Sequence, residues 1–313
     1  MNKNINNKTK ANPQKSKKQN IIILILILLI ILVTLTYIFL LIFENKNNDS
    51  KLNNNNNNNN NTNIYTEEEI KLKELDNINK RIDFFNMEYL DRYLNYKRNN
   101  PDIDIEKVIV YVNIGLDQNF YTNDKESPNQ DTNTVLVNKF NYLSQDYVPK
   151  DLETINSNYS SGNKLMEKKA RIAFERMAKD AQSEGYTIRA VSTYRSYSYQ
   201  ANLYSNYAKS DGIEMADTYS ARAGYSEHQT GLAVDVDNKT KSYTSFGSTK
   251  EFSWMQENAH KYGFILRYTK DNEFITGYKD EPWHYRYVGV EIATYIHNNP
   301  MTYEEYYVRF LGK

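Results

Sequence analysis

The sequence predicts an α+β body of roughly 200 residues carried behind one membrane-spanning segment. Three observations lead there. Residues 21–43 are an unbroken run of 23 uncharged, almost wholly apolar residues. Downstream of about residue 131, helical and strand patterns are interspersed without regular βαβ spacing or a glycine-rich phosphate loop. The chain of 313 residues has no cysteine, which excludes a disulfide framework and a cysteine-ligated metal.

At about 1.5 Å per residue, Ile21–Phe43 spans the ~30 Å hydrocarbon core of a bilayer. The run is too long for a signal peptide, and Phe43-Glu44-Asn45-Lys46 offers no small-residue cleavage site. It is too long and too terminal for a buried core helix, so an uncleaved anchor is expected. Residues 1–20 form a tail with six lysines and no acid, while the other flank mixes Glu44, Lys46, Asp49 and Lys51. The positive-inside rule then keeps the N-terminus in the cytoplasm and the rest outside the cell membrane, as a single-pass protein. The formal net charge is zero, so removing the basic tail leaves an acidic remainder, which argues against a nucleic-acid partner. Residues 44–63 include nine consecutive asparagines, Asn53–Asn61. No core can form there, and a flexible tether spanning on the order of 25 Å is expected.

Residues 64–130 read as a lead-in region. Thr66 followed by three glutamates caps a helical pattern through Ile70, Leu75, Ile78, Ile82, Phe85, Leu90 and Leu94, which Pro101 ends. Lys107–Gly115 and Thr134–Lys139 are rich in β-branched residues and read as strands. Within the body, residues 131–313, a helix is expected over Lys164–Glu184, burying Leu165, Ala170, Ala173, Phe174, Met177 and Ala181 and stopped by Gly185. Tyr186–Thr193 follows as a strand, Ser196–Lys209 as a helix and Asp211–Glu227 as a loop. Leu232–Val236 reads as a buried strand, Lys250–Tyr262 as a helix and Tyr285–Val288 as a strand, with helices after Gly289.

Two segments carry chemistry: Ser226-Glu227-His228-Gln229-Thr230-Gly231-Leu232-Ala233-Val234-Asp235 and, further on, Glu281-Pro282-Trp283-His284. Of four histidines in the chain, two fall here. Two histidines, an aspartate and a further glutamate match the needs of a hydrolytic zinc site: three ligands, one corner for water, and one carboxylate to take the water's proton. The small residues Gly231 and Ala233 are read as letting backbone approach the metal closely. Trp283 reads as packing beside it, and His260 and His297, outside the motifs, as structural.

Ser-x-His-x-x-Gly-x-Ala-x-Asp followed by Glu-x-Trp-His resembles the signature of the M15 zinc peptidases, of the VanY-type D-alanyl-D-alanine carboxypeptidases and the related LdcB-type L,D-carboxypeptidases. Ser192-Thr193-Tyr194-Arg195-Ser196-Tyr197-Ser198-Tyr199-Gln200 is similar to their Tyr-Arg-Ser segment, and Leu136–Leu152 to their lead-in. The resemblance covers about residues 134–298. It implies a single zinc-peptidase domain with a small antiparallel sheet flanked by helices, with Zn2+ held by His228, Asp235 and His284. Glu281 would be the catalytic base, and Arg195, helped by Gln200 and Ser226, would bind the substrate's terminal carboxylate. The implied substrate is the peptidoglycan stem peptide, losing its terminal D-alanine. The alternatives are an L,D-carboxypeptidase on tetrapeptide stems, an endopeptidase, or a catalytically idle wall-binding module.

If residues 21–43 are an uncut anchor, protease added to wall-stripped cells releases a fragment beginning within residues 44–63. A protected body, or a mature protein already starting after residue 43, would count against the anchor.

Overall fold

The computed structural model describes residues 77–312, which belong to one compact unit. The basic tail, the anchor, the asparagine tether and the start of the lead-in lie outside the described residues. Among the described residues, no helix is long and apolar enough to cross a membrane.

The lead-in differs from expectation in two ways. The single helix before Pro101 is broken: residues 77–81 are helical, a turn follows at 83–84, and a 3-10 turn Met87–Tyr89 precedes the helix Leu90–Asn99. Side chains fix the break, because Asn113 Nδ2 donates to the Phe84 carbonyl (2.7 Å) and Asn86 caps the new start by accepting from Glu88 N (3.0 Å). Second, the expected strand Lys107–Gly115 is a helix, Ile105–Ile114. Asp104 accepts from Glu106 N at 2.8 Å at its start, and Gly115 closes it in the left-handed region at φ +108°. Val108, Ile109, Val110, Tyr111, Val112 and Ile114 are all buried. A helix covered on nearly every side loses its polar stripe, so its apolar run imitates a buried strand. It shares one cluster with Ile275 and Val308 from far down the chain.

Two short pairings follow, β1 (Lys125–Glu126) parallel to β2 (Asn141–Tyr142) and the hairpin β3 (Leu152–Thr154) with β4 (Leu165–Glu167). The expected strand Thr134–Lys139 joins no ladder beyond an isolated bridge from Asn138 to Asn141. Its carbonyls are taken by side chains instead: Tyr303 Oη donates to Thr134 O (2.8 Å), Arg286 Nη2 to Val135 O (2.7 Å) and Ser127 Oγ to Leu136 O (2.6 Å).

The central sheet has four antiparallel strands in the order β5 (Arg189–Ser192), β6 (Ala233–Asp237), β8 (His284–Tyr287), β7 (Phe264–Leu266). Alternation sends Val234, Val236 and Tyr285 to one face. There the helix Lys168–Ser183 lays down Ala170, Phe174, Met177, Ala178 and Ala181, a stripe at i, i+4, i+7, i+8 and i+11. The expected helix thus begins four residues late. Leu165 is 36% exposed because β4 buries Met166 in its place. The helices Tyr197–Asp211, Lys250–Asn258 and Val290–Asn298 fall where the pattern put them, and the expected loop after residue 211 contains a short helix, Ile213–Asp217.

Gly231 has a different purpose from the one read in the sequence. It ends a 3-10 turn, Glu227–Thr230, at φ +69°, and an added Cβ would meet Leu152 Cδ2 at 2.9 Å and Glu167 N at 3.1 Å. The close approach is to the β3–β4 hairpin. Gly231→Ala combines a disfavoured φ with that clash, and a loss of about 1–3 kcal/mol is expected in urea unfolding.

Candidate metal centre

The other face of the sheet builds the site. Across β6 and β8, Asp235 lies directly opposite His284, and across β5 and β6, Ser192 lies opposite Asp235. A register shift between Ala190 and Ser192 brings Ser192 into this row. His228 comes from the 3-10 turn, whose four residues are all buried. That turn is pinned by Gln229 Nε2, which donates to Ser144 O (2.9 Å), and by Arg195 N, which donates to His228 O (3.2 Å).

The three expected ligands converge. His228 Nε2 is 3.3 Å from Asp235 Oδ2, and His284 Nδ1 is 3.0 Å from Asp235 Oδ1. One donor atom from each residue lies within 4.8 Å of the others, the single such group of three among the described residues. Tetrahedral zinc at 2.0–2.2 Å from its ligands separates donor atoms by about 3.4 Å, so the set fits zinc with one corner left over. His228 Nδ1 donates to Thr193 O at 2.7 Å, which leaves Nε2 as its metal-facing nitrogen. Burial and the facing Arg195 lower the His228 pKa to about 4, so the ring is neutral, as a ligand must be. Burial opposes the charge on Asp235, yet His228, His284 and Arg195 hold its carboxyl well below the usual range. Burial also opposes a charged His284, but bonds to Asp235 and Glu227 outweigh it and raise the group to about 9, so a metal binding this ring must displace a proton.

Glu281 approaches without joining the ligand set, its Oε2 3.9 Å from His284 Nδ1. Burial, with the charges of Asp235 and Glu227 adding to it, pushes its carboxyl up to about 8 despite the attraction of His284; a dication beside it would lower the value again. Arg195 is anchored to Ser192 Oγ through Nε (3.0 Å) and Nη2 (2.7 Å), and Nη2 also reaches Asp235 Oδ2 (2.7 Å). Its remaining Nη1 has a long bond to Gln200 Oε1 at 3.4 Å. Gln200 is buried, held by donation to Ala221 O (2.8 Å), so its reach is to Arg195. All seven expected site residues line one cleft of about 410 Å³, with Trp283 on its wall edge-on to Tyr243. His260 and His297 lie elsewhere, stacked on each other at 3.8 Å.

Several residues of the site went unread in the sequence. Glu227, quoted in the motif without a role, is fully buried and its Oε2 is 3.2 Å from His284 Nε2. Its Oε1 accepts from Arg267 Nε (2.8 Å) and Arg286 Nη1 (3.0 Å), both without solvent exposure. Arg267 also grips Glu304 in a fork (2.6 and 2.9 Å), and the Tyr268 ring leans on His284 at 4.8 Å. The available signal was Arg286 itself, two residues beyond His284 and therefore on the same face of β8.

The family model for VanY, D-alanyl-D-alanine carboxypeptidase, matches residues 163–290. YodJ of Bacillus subtilis (strain 168) is 42% identical over 179 residues, 55% of this chain and 66% of that protein. The bifunctional D-Ala-D-Ala dipeptidase and D-Ala-D-Ala carboxypeptidase VanXYC of Enterococcus gallinarum is 32% identical over 177 residues, 55% of this chain and 92% of that protein. The chain belongs to the VanY/LdcB type of M15 zinc peptidases. The solved structure of the LdcB LD-carboxypeptidase agrees, at 39% identity and a TM-score of 0.57, over 60% of this chain and 91% of that one. Of the first curated relatives the chain spans only 46–66% of their own length. Residues 77–130 precede the family match and belong to the same compact unit as it.

With three ligands from three segments, His284→Ala removes one corner while the core face of the sheet stays packed. Metal analysis should find bound zinc lost; one retained equivalent would refute the ligand set.

Proposed function

We propose that this chain is a zinc D,D-carboxypeptidase that hydrolyses the C-terminal D-alanine from peptidoglycan stem peptides. One observation carries the reading: a half-buried, non-liganding carboxylate, Glu281, stands beside the His228–Asp235–His284 set in a cleft whose wall holds an arginine. The names of the relatives support the substrate class. The bilayer anchor expected at residues 21–43 would hold the domain outside the cell, where that substrate is.

Zinc held by His228, Asp235 and His284 would supply Lewis acidity, making a bound water more acidic and polarising the scissile carbonyl. Glu281 takes the proton from the attacking water and returns it to the departing amine; the peptide C–N bond breaks and the products are a shortened stem and D-alanine. Burial makes Glu281 more basic than an ordinary glutamate, which suits a group that must accept that proton. Arg195 receives the substrate's terminal carboxylate through Nη1, the guanidinium nitrogen not committed to Ser192 and Asp235, while Gln200 orients Arg195 and Ser226 lines the same wall.

The second reading is an L,D-carboxypeptidase on tetrapeptide stems, favoured by the likeness to LdcB. Defined penta- and tetrapeptide stems, given to the purified enzyme with and without chelator, separate the two. D-Alanine released from the pentapeptide supports the D,D reading; release from the tetrapeptide alone supports the L,D one. An idle wall-binding module would release it from neither. Glu281→Gln keeps volume and removes the base, so it should hold zinc and bind stem peptide while turnover falls by about 10²–10⁴. Near wild-type turnover in that variant would overturn the mechanism.

A further inference from the structure

We propose that Glu227 is a positioning residue that decides which nitrogen of His284 faces the metal. The inference rests on reading His284 as a ligand and extends it to the residue behind the ring. Both ring nitrogens of His284 meet carboxylate oxygens, Nδ1 the Asp235 Oδ1 at 3.0 Å and Nε2 the Glu227 Oε2 at 3.2 Å. Turning the ring over would set carbons against both oxygens, so the contacts fix its orientation. Asp235 is itself a ligand and lies on the metal side. Glu227 lies on the far side, and an ionised carboxylate there can only accept. The Nε2–H therefore points at Glu227, and the lone pair of Nδ1 is left for the metal.

The surroundings of Glu227 admit little else. Its Oε1 already accepts from Arg267 and Arg286, and guanidinium groups cannot accept a hydrogen bond. Arg267 uses its other nitrogens on Glu304, and Arg286 Nη2 donates to Val135 O. Two arginines and two glutamates thus close a buried set in which Oε2 of Glu227 is the oxygen turned toward His284. Glu227→Gln gives this geometry a definite consequence. The arginines hold the amide oxygen, so the amide NH2 faces His284 and donates to Nε2. His284 must then carry its proton on Nδ1, the nitrogen that binds metal.

The test uses the full chain labelled with 15N-histidine, whose four imidazoles give a tractable spectrum. In the zinc-loaded wild type, long-range 1H–15N couplings should identify His284 as protonated at Nε2 and metal-bound at Nδ1. A His284 metallated through Nε2 overturns the inference while leaving the zinc site standing. A His284 that zinc does not perturb overturns the underlying ligand reading as well. In Glu227→Gln, chelator competition should give zinc affinity lower by about 10–100-fold, and the Nε2–H resonance of the zinc-loaded wild type should be lost. A folded variant with wild-type affinity and the wild-type Nε2–H resonance sinks the proposal. Should that variant not fold, the wild-type spectrum alone still decides.

Discussion

Burying charge without leaving any of it alone is the constraint on which this structure depends. Arg267, Arg286, Glu227 and Glu304 are 0–3% exposed. Removing any one would strand its partner in a low-dielectric interior, a loss of several kcal/mol. The set also ties together segments far apart in the chain. Arg286 takes carbonyls of the segment before the family match, Glu304 comes from the helix Tyr303–Tyr306, Arg267 follows β7, and Glu227 opens the turn bearing His228. The candidate metal donors rest against this framework, and His284 is where framework and site meet.

A second constraint is register. Because Asp235 and His284 are opposite residues on neighbouring strands, their separation follows from the ladder itself and needs no loop to set it. A slip of one residue would turn both away and present Val234 or Tyr285, which belong to the apolar core. The core face and the site face thus enforce each other: whatever keeps Phe174 and Met177 packed against Val234 and Val236 also keeps the donors converged.

How much of this was legible followed from how local the signal was. His228, Asp235, His284 and Glu281 stand in short motifs whose residue types are rare and chemically specific, and the structure draws them together. The helix Lys168–Ser183 was readable from an apolar stripe with helical period, and strand β6 from a short valine-rich run directly after Gly231. Residues 107–115 failed for the opposite reason: a helix buried on almost all sides has no polar stripe, and its caps Asp104 and Gly115 are weak clues beside five β-branched neighbours. Thr134–Lys139 misled because two of its carbonyls are satisfied by side chains of Arg286 and Tyr303, which no local window contains. Glu227 was in plain view as a letter, but its role depends on Arg267 and Arg286, and pairing across such distances leaves no mark in a single sequence.

The fork between Arg267 and Glu304 also bears on the order in which a nascent chain can mature. Ribosomal synthesis delivers Arg267 and His284 before Glu304. Until that acid emerges, Arg267 has no bidentate partner and resists burial, so β7, β8 and the turn bearing His228 lack the interior against which they close. Translation must therefore pass Glu304 before the pocket can close around its donors.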